Sequence, residues 1–153
     1  KGASCQMVVA ETPFYAERGG QVGDVRTVSD HKGKRIARIT DTQRPLSMLA
    51  LHEIEAEFTM KVGDSVEITV DAARREKTMR NHTATHLLHR AIRVIAGPEA
   101  KQRGSLVHPD YLRFDYPADR ALTDAELDAT ENEVQRARRA KRCLPTSRSV
   151  CAA

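Results

Sequence analysis

The stretch RNHTATHLLHR, Arg80 to Arg90, sets three imidazoles within eight residues, His82, His86 and His89. Near neutral pH an imidazole can ligate a metal, carry a proton or, once charged, sit against a phosphate. On a helix turning about 100° per residue, the three rings fall within about 60° of one another, in a row with Arg75, Thr78 and Arg93. The apolar residues Ala84, Leu87, Leu88, Ala91, Ile92 and Ile95 fall in the opposite sector. The histidines are therefore expected outside the core, facing solvent or a cleft. Metal ligation, nucleic-acid contact and a plain wet helix face all stay open on these residues alone.

His82 and His86 are four apart, a spacing that can aim two rings at one ion. The residue after His82 is Thr83, not the glutamate that a zinc metalloprotease uses as general base. The His-x-Glu and Pro-Cys-x-x-Cys pattern of the zinc deaminases is absent too. A hydrolytic zinc needs about three protein ligands and one open position. A straight helix does not readily wrap a third donor such as His89 around the same ion. Cys143 and Cys151 have suitable donor chemistry, but neither has a histidine near it in sequence, and both read as ordinary thiols.

These residues need a frame. Asp71 can cap a helix from about Ala72 to Ala96, and Gly97-Pro98 is a stop signal. Before it, the first seventy residues read as short strands in CQMVVAE, GKRIARIT, LALHEIEAEF and DSVEITVD, which suggests a small barrel or sandwich. Between the first two lies TPFYAERGGQVGD, whose Gly19, Gly20 and Gly23 mark a tight turn. After the helix come a polar loop, PEAKQRGS, and a hairpin turning at Pro109-Asp110, with Leu112, Phe114 and Tyr116 on one face. A second helix opens with the capping box Thr123-x-x-Glu126, its acids early and its bases late. The last residues, CLPTSRSVCAA, carry no strong periodicity.

Composition bounds the rest. A chain of 153 residues, 40% hydrophobic, has material for one domain or two small subdomains. With 4% aromatics and no Trp, the core must be aliphatic and stacking platforms for bases are scarce. No apolar run approaches the ~20 residues of a membrane span and no leader opens the chain, so no membrane partner and a cytoplasmic location are expected. The start KGASCQ, without Met, suggests a piece of a longer polypeptide. Three cysteines, an odd number, point to free thiols. The net charge of +4 attracts polyanions mildly. Bases gather at Arg74 to Arg80, at Lys101 and Arg103, and at Arg136 to Arg142, either as solvated helix faces or as a phosphate-facing side.

Taken together, TPFYAERGGQVGD, NHTATHLLHRAIR, KQRGSLV and YLRFDYP resemble, in this order, the editing region of alanyl-tRNA synthetases and their freestanding relatives, over about Met7 to Val134. The resemblance implies an α+β fold. A small β-barrel-like subdomain carrying the glycine motif would occupy residues 1–70. An editing core, with the HxxxH helix, a β-hairpin and a second helix, would occupy 71–153. It also implies Zn2+-dependent hydrolysis of serine or glycine wrongly attached to tRNA(Ala). His82 and His86 would be zinc ligands, Gln102 and Thr85 catalytic pocket residues, and Gly19, Gly20 and Arg103 contacts to the substrate, the acceptor end of tRNA(Ala). His89 would be a neighbour of the ligands or face solvent. The family's second ligand pair, Cys-x-x-x-His, has no match: Cys143 is followed four residues on by Ser147, and Cys151 stands near the end. The remaining ligands are expected beyond the chain. The alternatives are a tRNA-binding module without catalytic metal, a freestanding editor, and a spacer between synthetase domains.

Overall fold

The computed structural model describes residues 2–140. Its architecture is α+β: a five-stranded antiparallel sheet, a separate two-stranded sheet and two helices. The strands of the larger sheet are β1 (Ala3–Met7), β2 (Arg26–Asp30), β3 (Arg35–Leu46), β4 (Leu49–Ala56) and β5 (Val66–Val70), in the order β1-β4-β3-β2-β5. The long helix α1 is Ala72–Ile95; β6 (Gly104–Val107) pairs with β7 (Leu112–Asp115), and α2 spans Asp124–Ala140. The chain forms two compact units. One holds the described residues up to His82 with Gly104–Arg113, and the other holds Thr83–Arg103 with the described residues from Phe114 onward.

In the first unit the core is Phe14, Val28, Ile36, Ala37, Ile39 and Ile54, with Met7, Met60, Val66, Ile68 and Val70 packed against it. Ile39 and Ile54 are opposite one another in the β3–β4 pairing and are among the largest fully buried side chains. Each such side chain stabilises the fold by about 1.5–3 kcal/mol relative to exposure. Strand β2, RTVSD, was not evident from the sequence. Only Val28 is buried, and the strand exists because β3 and β5 flank it on either side.

Strict alternation would turn Thr42 away from the side that Ile39 faces. The register shifts between Ile39 and Asp41, so Thr40 is an extra residue, and both Ile39 and Thr42 end up buried. The bulge has a use. Thr42 Oγ1 donates to the Asp24 carbonyl at 2.9 Å, and its own carbonyl accepts from Glu17 N–H at 2.8 Å. A Cβ on Gly23 would lie 2.2 Å from that carbonyl oxygen, so only glycine lets the segment approach.

His52, opposite Thr42 on β4, is fully buried. Its Nδ1 lies 3.2 Å from the Met7 carbonyl, which can only accept, so Nδ1 carries the proton. Nε2 then accepts from Thr12 Oγ1 at 2.9 Å, and Thr12 Oγ1 accepts from Phe14 N–H at 3.1 Å. Burial lowers the His52 pKa below its ordinary value, opposed by the bond to Met7. The folded state thus favours the neutral ring. Its stabilisation is complete above the unfolded value, roughly 6.5, and is lost as pH falls through the depressed folded value. The urea midpoint should drop between about pH 7 and pH 5, and His52→Gln should flatten that drop. An unchanged slope in the variant would contradict this assignment.

The helices follow their local signals. Asp71 Oδ1 accepts from Arg74 N–H at 2.9 Å, an N-cap bond, and beyond the last turn Gly97 takes φ +102°. In the second unit, Thr123 N–H donates to Glu126 Oε2 at 2.8 Å, and Arg120 grips the same carboxylate through two 2.7 Å bonds. Arg120, then Thr123, hold the Glu126 carboxyl down to about 2. Ala91, Ile92, Ala100 and Ala137 are the buried apolar residues of this unit.

Candidate functional site

The long helix carries both His82 and His86 without a break, so they stand one turn apart along it. Its burial differs from the simple two-sector picture. Thr78, Thr85, Ala91 and Ile92 are buried, Leu87 and Leu88 only half-buried, and Met79 and Val94 exposed. The most buried row thus runs through Thr78, Thr85 and Ile92, beside the histidines. His82 and His89 are half-buried and His86 is exposed, so none of the three belongs to the core.

The glycine segment reaches this helix within the first unit. Arg18 and Gln21 exchange backbone bonds of 3.1 and 3.2 Å around Gly19 and Gly20, whose φ angles are +60° and +83°. Two successive positive φ angles define a primed turn, which only glycine adopts without strain. A Cβ on Gly20 would also lie 2.3 Å from the Ser105 carbonyl oxygen. Gly20 O accepts from Val107 N–H at 2.7 Å, and Val22 N–H donates to Val107 O at 3.1 Å, which seats the turn along β6. The product of this arrangement is Gln21, whose Oε1 lies 2.6 Å from Nδ1 of His82. The glycines stand out in the sequence and the glutamine does not. Its signal was position: the first side chain after a turn that has none.

Two further ties hold the same unit together. Asp24, buried, receives Tyr15 N–H at 2.7 Å and pairs through Oδ2 with the Arg75 guanidinium, which also donates to Pro13 O at 2.6 Å. Asn81 Nδ2 donates to His108 O at 2.7 Å. Arg75 therefore does not belong with the histidines as a phosphate-facing group; it is committed to Asp24. Other bases meet acids too: Arg80 with Glu76, Lys77 with Asp110, Lys101 with Glu99 and Arg136 with Glu133. Among the described members of the three basic clusters, Arg75, Lys77, Arg80, Lys101 and Arg136 thus meet acids, while Arg103 is exposed.

In the second unit Thr85 is 7% exposed and Gln102 lies on the surface. His89 packs on Phe114 with ring centroids 4.9 Å apart, and Phe114 stacks on Tyr116. A ring contact was not among the roles expected for His89. Cys143, Ser147 and Cys151 lie outside the described residues.

The two helix histidines suit a borderline-soft divalent ion in donor type and spacing. Among the described residues, no group of three or more His, Cys, Asp or Glu is placed to hold a metal. The donor set therefore fits as part of a site, up to two of the about three ligands that hydrolytic zinc requires. No described helix is long and apolar enough to cross a membrane.

The family described as tRNA synthetases class II (A) matches residues 1–74. Alanine–tRNA ligase of Myxococcus xanthus (strain DK1622) is 46% identical over 135 residues, 88% of this chain and 15% of the relative. That of Sorangium cellulosum (strain So ce56) is 49% identical over 134 residues, 87% of this chain and 14% of the relative. That of Streptococcus thermophilus (strain ATCC BAA-491 / LMD-9) is 47% identical over 128 residues, 84% and 15%. The chain spans about 15% of the length of these relatives.

Proposed function

The chain belongs to the alanyl-tRNA synthetase family, and from that premise we propose that it forms part of a cytoplasmic alanine–tRNA ligase in which it serves editing: hydrolysis of serine or glycine wrongly attached to tRNA(Ala). The observation that carries this reading is the pairing of His82 with Gln21, because it joins the HxxxH helix to the glycine motif. An ordinary wet helix face needs no such partner. The commitment of Arg75 to the buried Asp24 also weighs against a helix face that only binds phosphate.

In this reading His82 and His86 hold zinc together with ligands outside the described residues. Zinc held there would supply Lewis acidity for hydrolysis of the aminoacyl ester by water. The ester is already activated, so discrimination is harder than the chemistry. A synthetic site cannot exclude glycine by size and cannot strongly reject one extra hydroxyl on serine. A second sieve is the general remedy. Thr85, buried beside the histidine row, offers a short hydroxyl to read a small side chain, and the Gln102 amide can orient substrate or water without changing charge. Gly19, Gly20 and Arg103 would receive the acceptor end, Arg103 with a salt-dependent contribution. The residues up to Val70 would form a barrel-like subdomain. Met7 from β1 and Val66, Ile68 and Val70 from β5 support this, since the two end strands of the sheet pack on one core cluster.

Deacylation of seryl-tRNA(Ala) tests the proposal, in a protein that carries this segment with its flanking sequence. Gln102→Ala and Thr85→Val should each lower kcat/KM by about tenfold or more, the worth of one well-placed hydrogen bond. Hydrolysis equal to the parent in both variants would exclude the assigned pocket.

A further inference from the structure

We infer that Gln21 is a positioning residue for His82: its side-chain carbonyl holds the imidazole in the Nδ1–H tautomer, so that Nε2 is the nitrogen with a lone pair for a ligand. The step follows from the contact at 2.6 Å, because an amide oxygen only accepts and the ring must therefore donate from Nδ1. In a neutral imidazole the other nitrogen is then the acceptor. The inference rests on the proposed function only in taking that ligand to be zinc.

What distinguishes Gln21 from a surface amide touching a histidine is how its backbone is held. The primed turn fixes one side, through the reciprocal bonds of Arg18 and Gln21 and the Tyr15 Oη bond to Arg18 O at 3.0 Å. Strand β6 fixes the other, since Gln21 forms a parallel bridge with Val107 and its neighbours Gly20 and Val22 both bond to Val107. The helix is fastened to the same unit near His82, by Arg75 on Asp24 and Pro13 O, and by Asn81 on His108 O. Both partners of the His82–Gln21 bond are thus held by backbone anchored elsewhere, which is the arrangement that fixes ring orientation. Gly19 and Gly20 have a role here that needs no contact with tRNA: without side chains they let the turn close against β6 and present Gln21.

The test is tautomer detection by long-range 1H–15N correlation on the 15N-histidine-labelled chain, above the pH range of imidazole protonation. It is paired with Zn2+ titration against a chromophoric chelator in a protein that carries this segment with its flanking sequence. His82 should show Nδ1–H in the parent and in Gln21→Glu, whose carboxylate is also an acceptor. In Gln21→Leu it should change to Nε2–H or a mixture, with zinc affinity about 10- to 100-fold lower. A parent spectrum with Nε2–H, or a Gln21→Leu spectrum identical to the parent, overturns the inference. If Gln21→Leu does not fold, the parent and Gln21→Glu spectra decide it. If the tautomer responds as expected but His82→Ala binds zinc as well as the parent, Gln21 still positions His82 and the metal reading is what fails.

Discussion

Replacing His82 and His86 together with alanine should strip zinc from the protein and lower the hydrolysis of seryl-tRNA(Ala) by about three powers of ten, with the fold retained. The size follows from what a bound metal supplies. Lewis-acid stabilisation is worth several kcal/mol, and each ~1.4 kcal/mol is one decade of rate. Retention of the fold follows from exposure: His86 lies at the surface, and His82 is half-buried, its bond to Gln21 worth about 1 kcal/mol. Metal analysis, single-turnover deacylation and urea unfolding on the same preparations separate the two effects. Zinc content and deacylation at parental levels would refute the assignment of both histidines as zinc ligands.

The second large effect concerns stability. Arg75→Met should destabilise the chain by about 2–4 kcal/mol, because it leaves the buried Asp24 carboxylate without its cation. The lower part of that range is expected, since one-third of the Arg75 side chain is exposed and the pair is partly screened. The double variant Asp24→Asn/Arg75→Met removes both charges while leaving an acceptor for Tyr15 N–H. It should be more stable than Arg75→Met alone. A double variant less stable than the single one, in urea unfolding, would show that the ion pair is not the source of the loss. The same substitution loosens the Phe14–Asp24 segment, so the tautomer of His82 should become less uniform in Arg75→Met.

How much of this was legible depends on the range of the interactions. The bounds of α1 are written in Asp71 and Gly97, and the start of α2 in Thr123 and Glu126, because caps act within a few residues. The helix spacing of His82 and His86 is legible for the same reason. Strand β2 is not. Its sequence is mostly polar, and it becomes a strand only between β3 and β5. Nor does any spacing announce that Thr40 is a bulge residue, since the shift is defined by the partner strand.

The amino-acid sequence by itself determined the family, the ends of the helices, the glycine turn and the placing of the histidines outside the core. Each is carried by a contiguous motif whose chemistry is local. Tertiary structure decided which of these groups meet. Arg75, grouped by the helix wheel with the histidines, is committed to Asp24, 51 residues earlier, and Gln21 reaches His82 across 61 residues. Such pairings depend on loop closure and on the backbone clearance that glycine allows at positions 20 and 23, which no periodicity along the chain encodes.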